Sequence, residues 1–98
     1  MRYRLPKPTN PATPLVADAS ALGRAVRAQR LAAGLRIDDA AALCGVSVTV
    51  LSRLENAASG ITTKGLFKVL DGLGLTLLIF DKLETSQALA TLSRQAHK

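Results

Sequence analysis

The side chains best equipped for chemistry in this 98-residue chain are its 13 lysines and arginines, and they are unevenly placed. Residues 1–36 carry seven of them (Arg2, Arg4, Lys7, Arg24, Arg27, Arg30 and Arg36) against one acid, Asp18. Residues 37–98 carry six basic and six acidic side chains, so the formal charge of +6 resides wholly in the N-terminal third. Such a concentration of cations selects a polyanionic partner, nucleic acid before any other. Arg24, Arg27 and Arg30 recur every three residues, which on a helix makes either a binding stripe or a solvated face. Other chemistries lack their parts. Cys44 is the only cysteine and His97 the only histidine, so neither an internal disulfide nor a structural zinc site can be assembled. Neither has an acid or base at a spacing that would make a nucleophile or a ligand set. The residues therefore predict a protein that binds and is not an enzyme, with no metal and no cofactor. Cys44 reads as a small buried side chain.

Apolar residues make up 48% of the chain, enough for a packed core, while Tyr3, Phe67 and Phe80 are its only aromatic residues. A core of Leu, Val, Ile and Ala suits a helical bundle better than a β-sandwich. No apolar run approaches the ~20 residues of a membrane span. Pro6, Pro8, Pro11 and Pro14 interrupt the stretch where a secretory leader would need its apolar segment. The expectation is a cytoplasmic domain preceded by a flexible, basic, proline-rich arm over residues 1–17. Arg2, Arg4 and Lys7 in that arm would be a solubilising tail or a minor-groove contact.

Periodicity predicts the elements that follow. Leu22, Ala25, Val26, Gln29 and Ala33 share one helical face, with Asp18 or Ser20 as cap and Gly34 as terminator. Asp38 and Asp39 suit the first turn of a short helix over 37–44. Ser47 caps a third over 48–56, with Val50, Leu51 and Leu54 on one side. After the loop 56–60, Thr62 or Thr63 starts a fourth helix, which carries Leu66, Phe67, Val69, Leu70 and Leu73 and stops at Gly72–Gly74. The run Leu75–Phe80 changes period and reads as a β-strand. Residues 82–98 form a weak helix capped by Ser86 or remain disordered.

Two short helices joined at Gly45 form the pattern of a helix-turn-helix. Ala40 and Ala41 are small where two helices must cross, and Val46, Val50 and Leu51 supply an apolar underside. Ser47, Val48, Thr49, Ser52 and Arg53 are left on the outward face. The segments Leu22-Gly23 through Arg30, Ala40-Ala41, Gly45-Val46-Ser47, Leu51-Ser52-Arg53-Leu54-Glu55-Asn56 and Leu66-x-x-Val69-Leu70 resemble the Cro/lambda-repressor-type (XRE) helix-turn-helix family over about residues 20–74. With Leu75–Phe80 directly after the last helix, the chain is most similar to HipB-type antitoxins within that family.

The resemblance implies a mainly α fold: a four-to-five-helix lambda-repressor-like domain over residues 18–74, then a strand over 75–81 that pairs across a homodimer, then a tail over 82–98. It implies a structural ion pair between Arg30 and Glu55, base-edge reading by Val48, Thr49, Ser52 and Arg53, and phosphate contacts by Ser47 and Asn56. The family's usual Thr or Ser followed by Gln at the second helix is Arg36-Ile37 here, so Arg36 takes over the phosphate contact. Val48 stands where relatives often carry a glutamine that reads adenine, which moves readout toward Arg53, methyl groups and DNA shape.

A four-helix core offers Leu75–Phe80 no second strand. Pairing with the same segment of another copy would satisfy its backbone and cover its apolar faces. Leu75, Leu77 and Ile79 would face one side of that ribbon, and Thr76, Leu78 and Phe80 the other. The other possibility is that the run packs back on its own helices. The function expected is that of a homodimeric repressor on a pseudo-palindromic double-stranded DNA operator, the antitoxin of a HipA-like Ser/Thr kinase toxin and regulator of its own operon. Two rivals stand beside it: a stand-alone or prophage regulator without a toxin, and a protein-interaction module with vestigial DNA binding.

Overall fold

The computed structural model describes residues 15–96, the last five by backbone alone. Five helices follow one another: α1 (Ala19–Ala32), α2 (Ile37–Cys44), α3 (Val48–Glu55), α4 (Thr63–Gly72) and α5 (Thr85–Ala96). Arg2, Arg4, Lys7 and most of the expected arm lie outside the described residues, as does His97.

Side-chain oxygens start three of the helices. Asp18, rather than Ser20, caps α1, its Oδ1 accepting from the Ala21 N–H at 2.8 Å. Ser47 Oγ accepts from the Val50 N–H at 3.1 Å to start α3, and Thr62 Oγ1 from the Gly65 N–H at 2.9 Å to start α4. Each bond satisfies one of the donors that a helix start leaves without an intrahelical partner.

The first four helices end alike. A residue in the left-handed region reverses the chain, and the next N–H reaches back five residues. Leu35 donates to the Arg30 carbonyl (3.1 Å), Val46 to Ala41 (3.0 Å), Ala58 to Arg53 (2.9 Å) and Leu75 to Leu70 (2.7 Å). Glycine supplies the left-handed residue three times, but after α3 it is Ala57, at φ 57°. A β-carbon there is strained by about 1–2 kcal/mol, offset in part by alanine's smaller freedom when unfolded. Ala57→Gly should therefore raise the urea midpoint, by up to about 1 kcal/mol of stability. A lowered midpoint would mean that the Ala57 methyl packs better than its backbone is strained.

The core lies between the first four helices. Val26, Ala40, Ala41, Cys44, Leu51 and Val69 are among its buried side chains. α1 packs on α3, and α2 against both α3 and α4. Ala40 and Ala41 lie at the α2 crossing, where larger side chains would hold the helices apart. At the other end of α2 a β-carbon on Gly72 would fall 2.6 Å from Cys44 Sγ and 2.8 Å from its Cα, so both residues must stay small. The Cys44 thiol lies 3.6 Å from the Val69 carbonyl oxygen, and burial pushes its pKa up, keeping it protonated. Gln29 Nε2 donates to the Leu73 carbonyl at 3.0 Å, tying α1 to the end of α4.

Two expectations differ from what the described residues show. The first is the strand. Leu75–Phe80 has no regular secondary structure, and no strand occurs among the described residues. The physical reason is that a ladder needs a partner strand, and the described residues contain none. Leu75 differs from its neighbours because it packs against the core, whereas Leu77, Leu78, Ile79 and Phe80 are all exposed. The second is the start of the last helix. Ser86 does not cap it, for it lies inside α5. The preceding turn is fixed by Asp81, whose Oδ1 accepts from the Glu84 N–H at 2.9 Å and whose carbonyl accepts from Thr85 Oγ1 at 2.9 Å. α5 takes no part in the principal helix packing. None of the described helices is long and apolar enough to cross a membrane.

Candidate nucleic-acid interface

Three residues, Gly45-Val46-Ser47, connect α2 to α3. Gly45 sits at φ 75°, a conformation that costs a residue with a β-carbon roughly 1–2 kcal/mol. That reversal lets α3 leave α2 steeply. Val46 and Val50 turn half-buried to the inside and Leu51 is fully buried, which fixes the rotation of α3 about its own axis. Val48, Thr49 and Arg53 consequently stand exposed along the opposite side, with Ser52 half-buried beside them.

The far end of α3 is locked from behind. Arg30 Nε donates to Glu55 Oε2 at 2.6 Å and Nη2 to Oε1 at 2.9 Å, a bidentate pair, while Nη1 donates to the Leu35 carbonyl at 3.0 Å. The two side chains are 11% and 5% exposed. The hydrogen bond to Glu55 holds the guanidinium above its ordinary pKa range, against the lowering effect of burial. On the arginine side the pair therefore loses its contribution to stability only at strongly alkaline pH, above the ordinary arginine value. Arg30 therefore serves the fold, while Arg24 and Arg27 of the same series point to solvent.

The other residues considered for DNA contact differ in what they have free to offer. Ser47 Oγ accepts from Val50, so its own hydroxyl proton remains available for a phosphate oxygen. Asn56 turns its amide back on α3, donating to the Ser52 carbonyl at 2.8 Å and lying 3.5 Å from Ser52 Oγ. Arg36 holds Asp38 at 3.2 Å with its side chain 79% exposed. A surface pair of that kind is worth at most about 1 kcal/mol and can exchange. The first turn of α2 nevertheless carries Asp38 and Asp39 beside the single guanidinium, so it is the least welcoming edge of this face for a phosphate. Residue spacing gave no sign of Lys64 and Lys68, which the fold brings to the helix-turn-helix edge. They line a cleft of about 250 Å³ together with Gly45, Val46 and Val50. Their signal, two lysines four apart at the start of α4, becomes legible only once α4 is packed beside the turn. Among the described residues no three His, Cys, Asp or Glu side chains gather as a metal site.

A family profile described as a helix-turn-helix domain matches residues 21–77, more than half of the chain. The chain belongs to the helix-turn-helix domain family. It is of the XRE type, a DNA-binding domain. No curated protein matches this helix-turn-helix chain by sequence. Among solved structures, a chain of the HipA-HipB-O2-O3 complex has a similar fold, with a TM-score of 0.63 and 24% sequence identity. The likeness covers 69% of this chain and 96% of that one. At that identity it speaks for the fold. Regulators of this family are typically non-enzymatic.

Proposed function

We propose that this chain is a sequence-specific, homodimeric repressor that inserts α3 into the major groove of a pseudo-palindromic operator. It further serves as antitoxin of a HipA-like Ser/Thr kinase and as regulator of the operon encoding both. The observation that carries the DNA reading is the outward face of α3, where Val48, Thr49 and Arg53 are exposed and no acid intervenes, on a helix fixed by a buried ion pair. In the groove, the Arg53 guanidinium matches guanine O6 and N7, and the methyl groups of Val48 and Thr49 match the thymine methyl. Ser52 adds a hydroxyl to the base-reading face, while Ser47 and Asn56 meet phosphates and set the register, with Arg36 joining them once it exchanges Asp38 for a phosphate.

Dimerisation is supported by the exposure of Leu77, Leu78, Ile79 and Phe80, four large apolar side chains in succession. Pairing residues 75–80 with a second copy would satisfy their backbone and cover both faces. Two-fold symmetry then sets the recognition helices one DNA turn apart, about 34 Å. Ile79 is 86% exposed in the protomer, so Ile79→Asp should leave the helical core intact and shift sedimentation from dimer to monomer. A variant that stays dimeric would remove this segment from the interface. The antitoxin role is supported by the fold likeness to a chain of the HipA-HipB-O2-O3 complex, which extends over 96% of that chain.

Footprinting on the DNA upstream of the protein's own gene tests this function. Two protected half-sites centred one helical turn apart are expected, with a HipA-like kinase reading frame adjoining the gene. A single unpaired footprint would contradict the dimer, and two half-sites without a neighbouring kinase would leave a stand-alone regulator.

A further inference from the structure

We propose that Gly60 is a positioning residue for Arg53 and thereby helps decide which DNA sequence the domain prefers; this rests on the major-groove reading given above. Gly60 belongs to the loop that leads from α3 to α4. The start of that loop folds back on the end of α3, with the Ala58 N–H donating to the Arg53 carbonyl at 2.9 Å and the Ala57 N–H to that of Leu54 at 3.2 Å. Gly60, at φ 93°, then lies directly against the Arg53 side chain. A β-carbon at residue 60 would fall 2.9 Å from Arg53 Nη1, 3.8 Å from Cζ and 4.0 Å from Cδ. The absent side chain is what makes the bay in which the guanidinium rests.

Among the described residues no ion pair or side-chain hydrogen bond holds Arg53, so in this proposal its contact with the loop at Gly60 is what directs it. Arginine recognises a base edge through two parallel N–H bonds in a rigid plane, and the match depends on the direction of that plane. A guanidinium held in direction before binding also loses less rotamer freedom on contact. Any β-carbon at residue 60 moves Nη1 out of the bay. It should weaken the contact that discriminates between sequences while leaving the sequence-independent attraction to phosphates alone.

The test joins NMR of the free protein to a binding cycle. In the wild type the Arg53 Nε–Hε group should show a heteronuclear NOE near backbone values, well above that of exposed Arg24, and Gly60→Ala should bring it down to the Arg24 value. By fluorescence anisotropy, Gly60→Ala should weaken binding to a duplex from upstream of the gene by about tenfold, the scale of one lost bidentate pair. Binding to a scrambled duplex should not change, and no further loss should appear when Arg53 is already alanine. Gly60→Asn, which tolerates positive φ better, replaces the alanine variant if thermal melting shows that the latter does not fold. A wild-type Arg53 as mobile as Arg24, or an equal loss from the Gly60 substitution in the Arg53→Ala background, overturns the proposal. An ordered Arg53 with equal wild-type affinity for both duplexes overturns instead the major-groove reading, and the specificity role with it.

Discussion

Arg30→Met should destabilise the domain by about 3–5 kcal/mol, a large share of the roughly 5–15 kcal/mol that holds a small domain together. The methionine fills much of the same space, so the loss is electrostatic. Glu55, 5% exposed and left without either of its two hydrogen bonds from Arg30, becomes an unpaired buried carboxylate. The Leu35 carbonyl loses its donor in the same step. Replacing both partners, as Arg30→Met with Glu55→Leu, should recover much of the loss, because two apolar groups of similar shape leave no charge unpaired. Urea unfolding of the two single variants and the double variant gives the coupling between the sites. Additive losses would show that the pair contributes packing alone and does not lock α1 to α3.

Gly23→Ala is expected to go against its local propensity. Inside an exposed helix the change from glycine to alanine gains about 1 kcal/mol. Here the new β-carbon would stand 2.5 Å from the Glu55 carbonyl oxygen, 2.6 Å from that of Leu54 and 2.9 Å from the Glu55 carbonyl carbon. These are backbone atoms of α3, and no side-chain rotation relieves the contact. Moving the two helices apart costs about 1–3 kcal/mol or more in a packed core, which outweighs the helical gain. The variant should lose about 2 kcal/mol net, read from its urea midpoint. Since α3 carries the base-reading side chains, its DNA affinity should fall beyond what the unfolded fraction explains. A midpoint that rises would mean α1 and α3 are not in close backbone contact at Gly23.

Much of the fold is legible in the sequence because its helix ends are marked locally. Asp18, Ser47 and Thr62 are oxygen-bearing caps within three residues of the N–H they accept, and Gly34, Gly45 and Gly74 supply left-handed reversals. What lies beyond such local signals is not legible. Ala57 occupies the same reversal with no residue type to announce it. Gly23 enters only through the family resemblance and Gly72 reads as a helix end, and their role as contact points appears only when α3 and Cys44 are packed against them. Arg30 and Glu55 lie 25 residues apart, so periodicity cannot join them, and only the family resemblance does. Asp81 rather than Ser86 sets up α5 because the turn before the helix, not the first suitable residue within it, gathers the donors. The strand-like run after Gly74 finds no partner strand among the described residues, and no pattern within one chain determines whether it is paired. On α3 the outward face follows from the burial of Leu51 and Leu54, whereas the environment of Arg53 depends on a loop glycine seven residues away.

Sequence-specific binding of DNA through α3 is the central claim. It is tested most directly by fluorescence anisotropy on a duplex from upstream of the gene beside a scrambled duplex of equal length and composition, over a series of salt concentrations. Both affinities should fall steeply with salt as lysines and arginines displace counterions. The upstream duplex should keep a clear preference near physiological salt, and Arg53→Ala should remove about 1–3 kcal/mol of that preference without changing the salt slope by more than about one counterion. Equal affinities for both duplexes, vanishing together as salt rises, would contradict the claim and leave a basic protein whose helix-turn-helix surface serves a protein partner.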